Sequence, residues 1–115
     1  MIKRAQSRPE KVTENMRGGP GSVKISALAT PEELLNKGRL FSVITLELGC
    51  GIGTHEHLEE TELFYVLEGE ADYNDNGVME HLMTGDVTVC PPGECHGVTN
   101  NSGSVTKLIA LILYR

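Results

Sequence analysis

Long apolar runs, basic clusters and cysteines are all scarce in this 115-residue sequence, and each scarcity excludes a class of protein. No apolar run approaches the roughly 20 residues that a membrane-spanning helix needs. The net charge is −6 and no basic stretch extends beyond Lys3-Arg4, so nucleic acid and anionic membranes are poor partners. Residues 1–15 lack the apolar core of a signal peptide. We therefore expect a single domain with a cytoplasmic location.

The cysteines Cys50, Cys90 and Cys95 are too few, and odd in number, for a disulfide framework. Their spacing matches no zinc site of the paired Cys-x2-Cys type. Because Cys95 stands directly before His96, a redox or soft-metal role is open. We predict instead that the cysteines are small, half-buried apolar residues.

The chain divides by composition into an N-terminal arm, residues 1–22, and a folded domain, residues 23–115. The arm is polar and rich in Arg, Lys, Gly and Pro, which is typical of a segment without packed structure of its own. We expect it to be loose or to lie across a partner subunit.

Helix signals are concentrated between residues 30 and 38. Thr30 can serve as the N-cap, Glu33 can close a capping box with it, and Gly38 fits the position after the C-terminus. These signals predict one short helix near residues 31–37.

From Phe41 to the end, the chain has the pattern of short strands separated by turns. Asn74-Asp75-Asn76-Gly77 is a tight-turn signal and predicts a hairpin. Residues 105–115 are apolar enough to form a strand that is buried on both faces. Turns recurring every eight to twelve residues or so predict an all-β protein, an antiparallel sandwich or barrel.

Histidine and glutamate side chains form the clearest chemical pattern. His55 and His57 are two residues apart and would point to the same face of a strand, and a hairpin return can bring Glu62 beside them. Imidazole and carboxylate groups suit a first-row divalent metal. A further ligand should come from elsewhere in the chain, and His96 is the best candidate.

Two stretches of the sequence resemble the two motifs of the cupin superfamily. The first pattern, G-x5-H-x-H-x(3,4)-E-x6-G, is filled by Gly49, His55, His57, Glu62 and Gly69. The second pattern, G-x5-P-x-G-x2-H-x3-N, is filled by Gly85, Pro91, Gly93, His96 and Asn100. Within the superfamily, the chain is most similar to small single-domain cupins that are often labelled oxalate decarboxylase-like.

The resemblance implies a fold, a cofactor and an assembly. The fold is an antiparallel double-stranded β-barrel of the jelly-roll type over residues 23–115. The resemblance also implies one divalent transition metal per chain, held by His55, His57, Glu62 and His96. Manganese, iron, nickel, copper and zinc can all occupy such sites. Similar small cupins commonly pair, and residues 108–114 offer more apolar surface than one small barrel needs, so we expect a homodimer.

Several neighbouring residues have simpler expected roles. The glycines at 49, 51 and 53 would let the chain turn a barrel corner, and Asn100 would cap a turn through its side chain. His81 lies outside both motifs and would be a surface or strand histidine. The remaining acidic residues near the ligands would form a solvated rim: Glu56, Glu59 and Glu60.

The ligand class is constrained by charge. No lysine or arginine occurs from residue 40 to residue 106, so a small dianion such as oxalate would be repelled unless another segment supplied a cation. Arg39, Lys107 or Arg17 could do so. A neutral or singly charged small organic ligand is therefore expected.

Three functions are compatible with such a centre, and we expect the first. The first is a metal-dependent enzyme of the oxygenase, decarboxylase or isomerase type acting on a small oxygenated molecule, with catalytic residues unassigned. The alternative is a non-catalytic module that binds or senses a small ligand. The third is a structural metal in an interaction domain.

Overall fold

Ten strands account for nearly all regular structure in the computed structural model, which describes residues 1–115. Single turns of 3₁₀ helix occur at Ala5–Ser7 and Met16–Gly18, and no helix is long and apolar enough to cross a membrane. The strands are β1 (Glu10–Glu14), β2 (Ser22–Ala29), β3 (Gly38–Leu46), β4 (Gly51–Glu56), β5 (Glu60–Glu68), β6 (Ala71–Asp75), β7 (Val78–Leu82), β8 (Val87–Cys90), β9 (Cys95–Thr99) and β10 (Thr106–Tyr114).

The strands form two antiparallel sheets. The larger sheet has the order β1-β2-β3-β10-β5-β8, and the smaller has the order β4-β9-β6-β7. A cluster of twelve buried residues, drawn from both sheets, fills the space between them. The predicted all-β, antiparallel double-stranded barrel is confirmed.

Burial along β10 alternates, as expected for a strand with one face in the core. Leu108, Ala110 and Ile112 are buried, whereas Ile109 and Leu111 on the opposite face are half-buried. The strand is therefore less enclosed than its apolar sequence predicted. Its outer face remains partly open to solvent.

The predicted turn at Asn74-Asp75-Asn76-Gly77 joins β6 to β7 as a hairpin. Asn76 and Gly77 have φ values of 51° and 99°, the left-handed pair that a type I′ turn requires. The Asn74 side-chain oxygen accepts a hydrogen bond from the Gly77 N–H at 2.8 Å. This prediction is confirmed.

The helix predicted near residues 31–37 is not formed. Thr30 and Glu33 do make the capping box: Glu33 N–H donates to Thr30 Oγ1, and Thr30 N–H donates to a Glu33 carboxylate oxygen. Only one i to i−4 hydrogen bond follows. Leu35 and Asn36 take left-handed φ values of 56° and 55°, and the chain turns back into β3. A capped first turn does not propagate when no packed face supports it.

Residues 1–22 contain more structure than the sequence predicted. Residues 10–14 form β1, which pairs with β2 from Glu10↔Ser26 to Glu14↔Ser22 and so extends the larger sheet. The N-terminal segment is therefore packed against its own chain along this strand. Its placement across a partner subunit stays a prediction.

Asn100 has the capping role predicted for it. Its side-chain nitrogen donates to the Leu46 and Ser104 carbonyls at 2.9 and 2.8 Å, and its side-chain oxygen accepts from Ser102. Asn100 is fully buried, so it fixes the turn before β10 to the end of β3. The three cysteines are free, with Cys90 buried and the other two half-buried.

Candidate metal centre

The four predicted ligands are delivered by three strands and one loop. His55 lies on β4 and His57 directly after it, and Glu62 lies on β5. His96 lies on β9, directly opposite His55 in the antiparallel pairing. The loop position of His57 is fixed by backbone hydrogen bonds to the turn at residues 93–94. His55 and His96 thus come from the smaller sheet, His57 from the loop after it, and the glutamate from the larger sheet.

The ligand atoms of these four residues converge on one point between the sheets. They all lie within 4.8 Å of one another, forming a group that could hold a metal ion. His57 Nε2 is 3.1 Å from His55 Nε2 and 3.1 Å from His96 Nε2. Glu62 Oε1 is 3.0 Å from His57 Nε2 and 2.9 Å from His96 Nε2. The structure therefore brings together all four residues that the sequence singled out.

Each histidine is held in place by a partner at its other ring nitrogen. Such partners orient an imidazole and select its tautomer. The contacts to Nδ1 are the Gly53 carbonyl with His55 at 2.8 Å, the Glu60 carboxylate with His57 at 3.0 Å, and the Tyr73 hydroxyl with His96 at 2.8 Å.

The tautomers leave lone pairs facing the centre. The Gly53 carbonyl and the Glu60 carboxylate only accept hydrogen bonds, so Nδ1 of His55 and of His57 carries the hydrogen. Their Nε2 lone pairs then face each other and the carboxylate of Glu62, which is repulsive unless a positive charge lies among them. The donor spacing near 3 Å is also that of neighbouring ligands about 2.1 Å from one ion at right angles. The residues present therefore fit a divalent metal.

Glu62 is ionised in this setting. Burial alone would raise the pKa of its carboxyl group, but hydrogen bonds from protonated His55 and His96 and the positive charge of the rings would lower that pKa to about 2. A bound metal would supply this positive charge in place of the protons. Glu62 is only 5% exposed, so its negative charge has little access to water. A buried carboxylate needs a compensating cation, which agrees with the donor geometry.

Glu60 does not belong to the solvated rim that the sequence predicted. Its carboxylate accepts hydrogen bonds from Arg39 Nε at 2.8 Å and Arg39 Nη2 at 2.6 Å, in addition to the His57 contact. Arg39 lowers the pKa of Glu60 to about 2 against the smaller effect of burial, and His57 adds to the lowering. Glu56 and Glu59 are exposed, as predicted.

A small cavity of about 50 Å³ lies beside the centre, and His55, His57 and Glu62 are among its lining residues. Arg17 and Arg39 also line it. The structure therefore supplies the cationic groups that the sequence could not place, and the rim is not uniformly acidic. The remaining lining residues are apolar: Met16, Ile25, Leu40, Ile44, Ile52 and Ile112.

Arg17 reaches the cavity because the N-terminal segment crosses β4. This strap, residues 15–19, lies so close to the strand that a Cβ on Gly53 would be 2.0 Å from the Arg17 carbonyl oxygen. A Cβ on Gly19 would be 2.5 Å from the Gly51 carbonyl oxygen. Gly51 and Gly53 thus allow close backbone approach rather than turning a corner. Only Gly49, with φ of 79°, has the predicted turning role.

Two hydrogen-bond partners of the histidines, Tyr73 and Glu60, were not predicted from the sequence. Tyr73 belongs to no motif, and its contact with His96 depends on the register between β6 and β9. Burial raises its pKa to about 12, so its hydroxyl stays protonated at neutral pH. Glu60 was assigned to the rim because nothing in the local sequence separates it from Glu59. His81 lies outside the centre, exposed on β7 and bonded to Asp72 and Glu70.

The fold and this four-residue cluster define the class of protein. Residues 42–112 match the sequence profile of the family described as "Cupin domain", which is more than half of the chain. The chain belongs to the cupin family, and the resemblance drawn from its two motifs is confirmed.

A protein sequence and a crystal structure, both from Thermotoga maritima, are similar over almost the whole chain. An "Oxalate-binding protein" is 34% identical over 113 residues, covering 98% of this chain and 93% of that protein. The crystal structure of "a predicted oxalate decarboxylase" has a TM-score of 0.96 at 34% identity, with complete coverage of both chains.

A more distant match is a "sugar phosphate isomerase from a cupin superfamily" of Silicibacter pomeroyi. Its TM-score is 0.80 at 16% identity, over all of this chain and 76% of that one. At this identity, the similarity concerns the fold alone.

Proposed function

We propose that this cupin binds a small oxygen-rich carboxylate of the oxalate class at a divalent transition metal. The metal, manganese, iron, nickel, copper or zinc, would be held by His55, His57, Glu62 and His96. The observation that carries the proposal is the convergence of four ligand atoms, from three buried residues and the half-buried His55, with the ring hydrogens of His55 and His57 turned away from the centre. A bound metal would act as a Lewis acid toward ligand oxygen atoms.

The cavity supports a small anionic ligand. Its volume of about 50 Å³ admits only a few non-hydrogen atoms, and its polar lining beyond the metal ligands consists of Arg17 and Arg39. Guanidinium groups bind carboxylates through paired hydrogen bonds. The similar Thermotoga protein is named for oxalate binding. We therefore replace the neutral or singly charged ligand expected from the sequence with a small carboxylate.

Binding is favoured over turnover by the same lining. The only titratable side chains along the cavity are the proposed metal ligands and the two arginines. No separate carboxylic acid, histidine or tyrosine lines the cavity to transfer protons to a ligand. A metal-dependent enzyme of the oxygenase, decarboxylase or isomerase type is the second candidate. A metal that keeps open coordination positions could also bind a reactant.

The test begins with metal analysis of purified protein, followed by calorimetric titration of the metal-loaded protein with oxalate. We expect one metal and one oxalate per chain, with no consumption of oxalate on prolonged incubation. His57→Ala should lose most metal and all measurable oxalate binding. His81→Ala, which removes an exposed histidine, is the matched control and should retain both.

The outcomes separate the candidates. Oxalate consumption, with or without dioxygen uptake, would favour the enzyme. Metal binding without any effect of oxalate or related dicarboxylates would leave a structural metal. A full equivalent of metal in His57→Ala would refute the assignment of the ligands.

We also propose a homodimer formed through the outer face of the larger sheet. Two rows of apolar side chains cross four neighbouring strands there, on the side away from the core. One row is Val43, Ile109, Tyr65 and Val87, and the other is Phe41, Leu111, Leu63 and Val89. A continuous apolar face of this kind is typical of an interaction surface.

Analytical ultracentrifugation at micromolar concentration tests the assembly. The parent protein should sediment as a dimer, and Ile109→Glu, in the middle of this face, should sediment as a folded monomer. Leu35→Glu places the same charge on an exposed leucine of the turns after β2 and should stay dimeric. A monomeric parent would refute the proposal.

A further inference from the structure

Glu60 connects Arg39, which lines the cavity, to the proposed metal ligand His57. One of its oxygens, Oε1, accepts hydrogen bonds from both His57 Nδ1 at 3.0 Å and Arg39 Nη2 at 2.6 Å. The other oxygen accepts from Arg39 Nε at 2.8 Å. The side chains become more buried along this series, from 39% exposed at Arg39 to 18% at Glu60 and 2% at His57.

We infer that Glu60 is a positioning residue that couples anion recognition by Arg39 to metal binding by His57. The anion half of this inference rests on the proposed function, and the metal half does not. One carboxylate would set the orientation of two groups that touch different partners.

The geometry fixes both groups at once. A carboxylate that grips Nε and Nη2 of an arginine holds the plane of the guanidinium. The third nitrogen of Arg39, Nη1, has no hydrogen-bond partner within the chain, although Arg39 lines the cavity. Arg39 can therefore donate to a ligand carboxylate without releasing Glu60.

At the other end, Glu60 selects the His57 tautomer that ligates through Nε2. The carboxylate accepts the Nδ1 hydrogen, and the ring cannot rotate without breaking that contact. Carboxylate partners of metal-bound histidines are known to affect metal affinity by about 10- to 100-fold.

A purely structural ion pair is the competing explanation. Arg39 is partly exposed, and exposed ion pairs contribute little to stability. If the pair had only this role, replacing either residue would change the melting temperature slightly and alter neither the metal spectrum nor ligand affinity. The two explanations therefore differ in readouts other than stability.

Four variants separate them: Glu60→Ala, Glu60→Gln, Arg39→Gln and the control Glu59→Ala. Glu59 precedes Glu60 in the chain but is exposed, and its side chain makes no hydrogen bond. Each variant is titrated with Co²⁺ in the absence of oxalate, and its visible absorption spectrum is recorded. Oxalate is then titrated into the protein at saturating Co²⁺.

Glu60→Ala should weaken Co²⁺ binding about 10- to 100-fold and shift the absorption bands, since the His57 ring is released. Glu60→Gln keeps an oxygen that can accept the Nδ1 hydrogen, so Co²⁺ affinity should recover to within a few-fold of the parent. Glutamine cannot accept hydrogen bonds from Arg39 through two oxygens, so oxalate affinity should be lower than in the parent for both Glu60 variants. This split is not expected of a residue that merely stabilises the fold.

Arg39→Gln should show the opposite split. Co²⁺ affinity should remain within about threefold of the parent, whereas oxalate affinity should fall about tenfold, as expected for the loss of one charged hydrogen bond. Glu59→Ala should match the parent in both titrations.

Parental Co²⁺ affinity and an unshifted spectrum in Glu60→Ala would overturn the inference. If the parent binds oxalate and neither the Glu60 variants nor Arg39→Gln bind it more weakly, the anion half of the inference is overturned. If the parent binds Co²⁺ but not oxalate, the proposed function fails, and the Co²⁺ titrations alone still decide whether Glu60 positions His57.

Discussion

Gly53→Ala should separate the strap from the cavity while leaving the metal ligands in place. The added Cβ would lie 2.0 Å from the Arg17 carbonyl oxygen and 2.9 Å from the Gly19 nitrogen, both backbone atoms. Ordinary contacts of a Cβ lie at 3.4–4 Å, so the strap has to move by more than an ångström. No rotation of a side chain can relieve this overlap.

Two routes of relief have similar costs. Straining the strap and β4 in place is an overpacking change, which costs about 1–3 kcal/mol. Lifting the strap exposes the half-buried Met16, about 1 kcal/mol, and breaks the hydrogen bond from Gly51 N–H to the Pro20 carbonyl, about 1 kcal/mol more. Either way, the free energy of unfolding should fall by about 2 kcal/mol. For a chain of this length, that lowers the melting temperature by about 8 °C.

Thermal denaturation followed by circular dichroism measures this loss, and calorimetry measures the functional effect. Metal affinity should fall at most a few-fold, because the strap contains no proposed ligand and the Gly53 carbonyl that meets His55 Nδ1 is kept. Oxalate affinity should fall about tenfold because Arg17 leaves the cavity. Gly103→Ala is the control: a Cβ there has no neighbour within 4 Å. A Gly53→Ala protein as stable as the Gly103→Ala protein would refute the description of the strap.

Two other predictions concern single contacts. Tyr73→Phe removes the hydroxyl that meets His96 Nδ1, so stability should fall by about 1–2 kcal/mol and metal affinity should weaken, whereas Tyr65→Phe, whose hydroxyl has no partner, should change neither. If the two variants behave alike, the Tyr73 contact has no role. Hydrogen bonds from His81 to Asp72 and Glu70 raise the pKa of His81 above its ordinary 6.5, so their contribution to stability is complete below about pH 6.5 and is lost as the pH rises through the raised value. Asp72→Asn should return the NMR titration midpoint of His81 toward 6.5, and an unchanged midpoint would contradict this explanation.

The ligand cluster could be predicted because its geometry is local or carried by a motif. His55 and His57 share a face by strand alternation, and Glu62 follows within one hairpin. His96 could be chosen among distant histidines only through the second motif. The pairing of β4 with β9 then placed it opposite His55.

The surroundings of the cluster could not be predicted from local sequence. Arg39 and Glu60 lie on β3 and β5, which are separated by β10, so their contact depends on the alignment of three strands. Arg17 reaches the cavity because the strap lies close against β4 at Gly53. A glycine in the sequence permits such an approach but does not predict which segment makes it. The missing helix after Thr30 has a related cause, since a cap starts a helix but packing must extend it.

The origin of the ligands in both sheets has a consequence for how long the protein survives in a cell. Under the proposed function, an ion joining Glu62 of the larger sheet to His55 and His96 of the smaller one is a removable cross-link. Metal at about a thousand times its dissociation constant would stabilise the folded state by roughly 4 kcal/mol. Proteases act on the transiently opened chain in proportion to its population. The abundance of this cupin would therefore follow the metal supply.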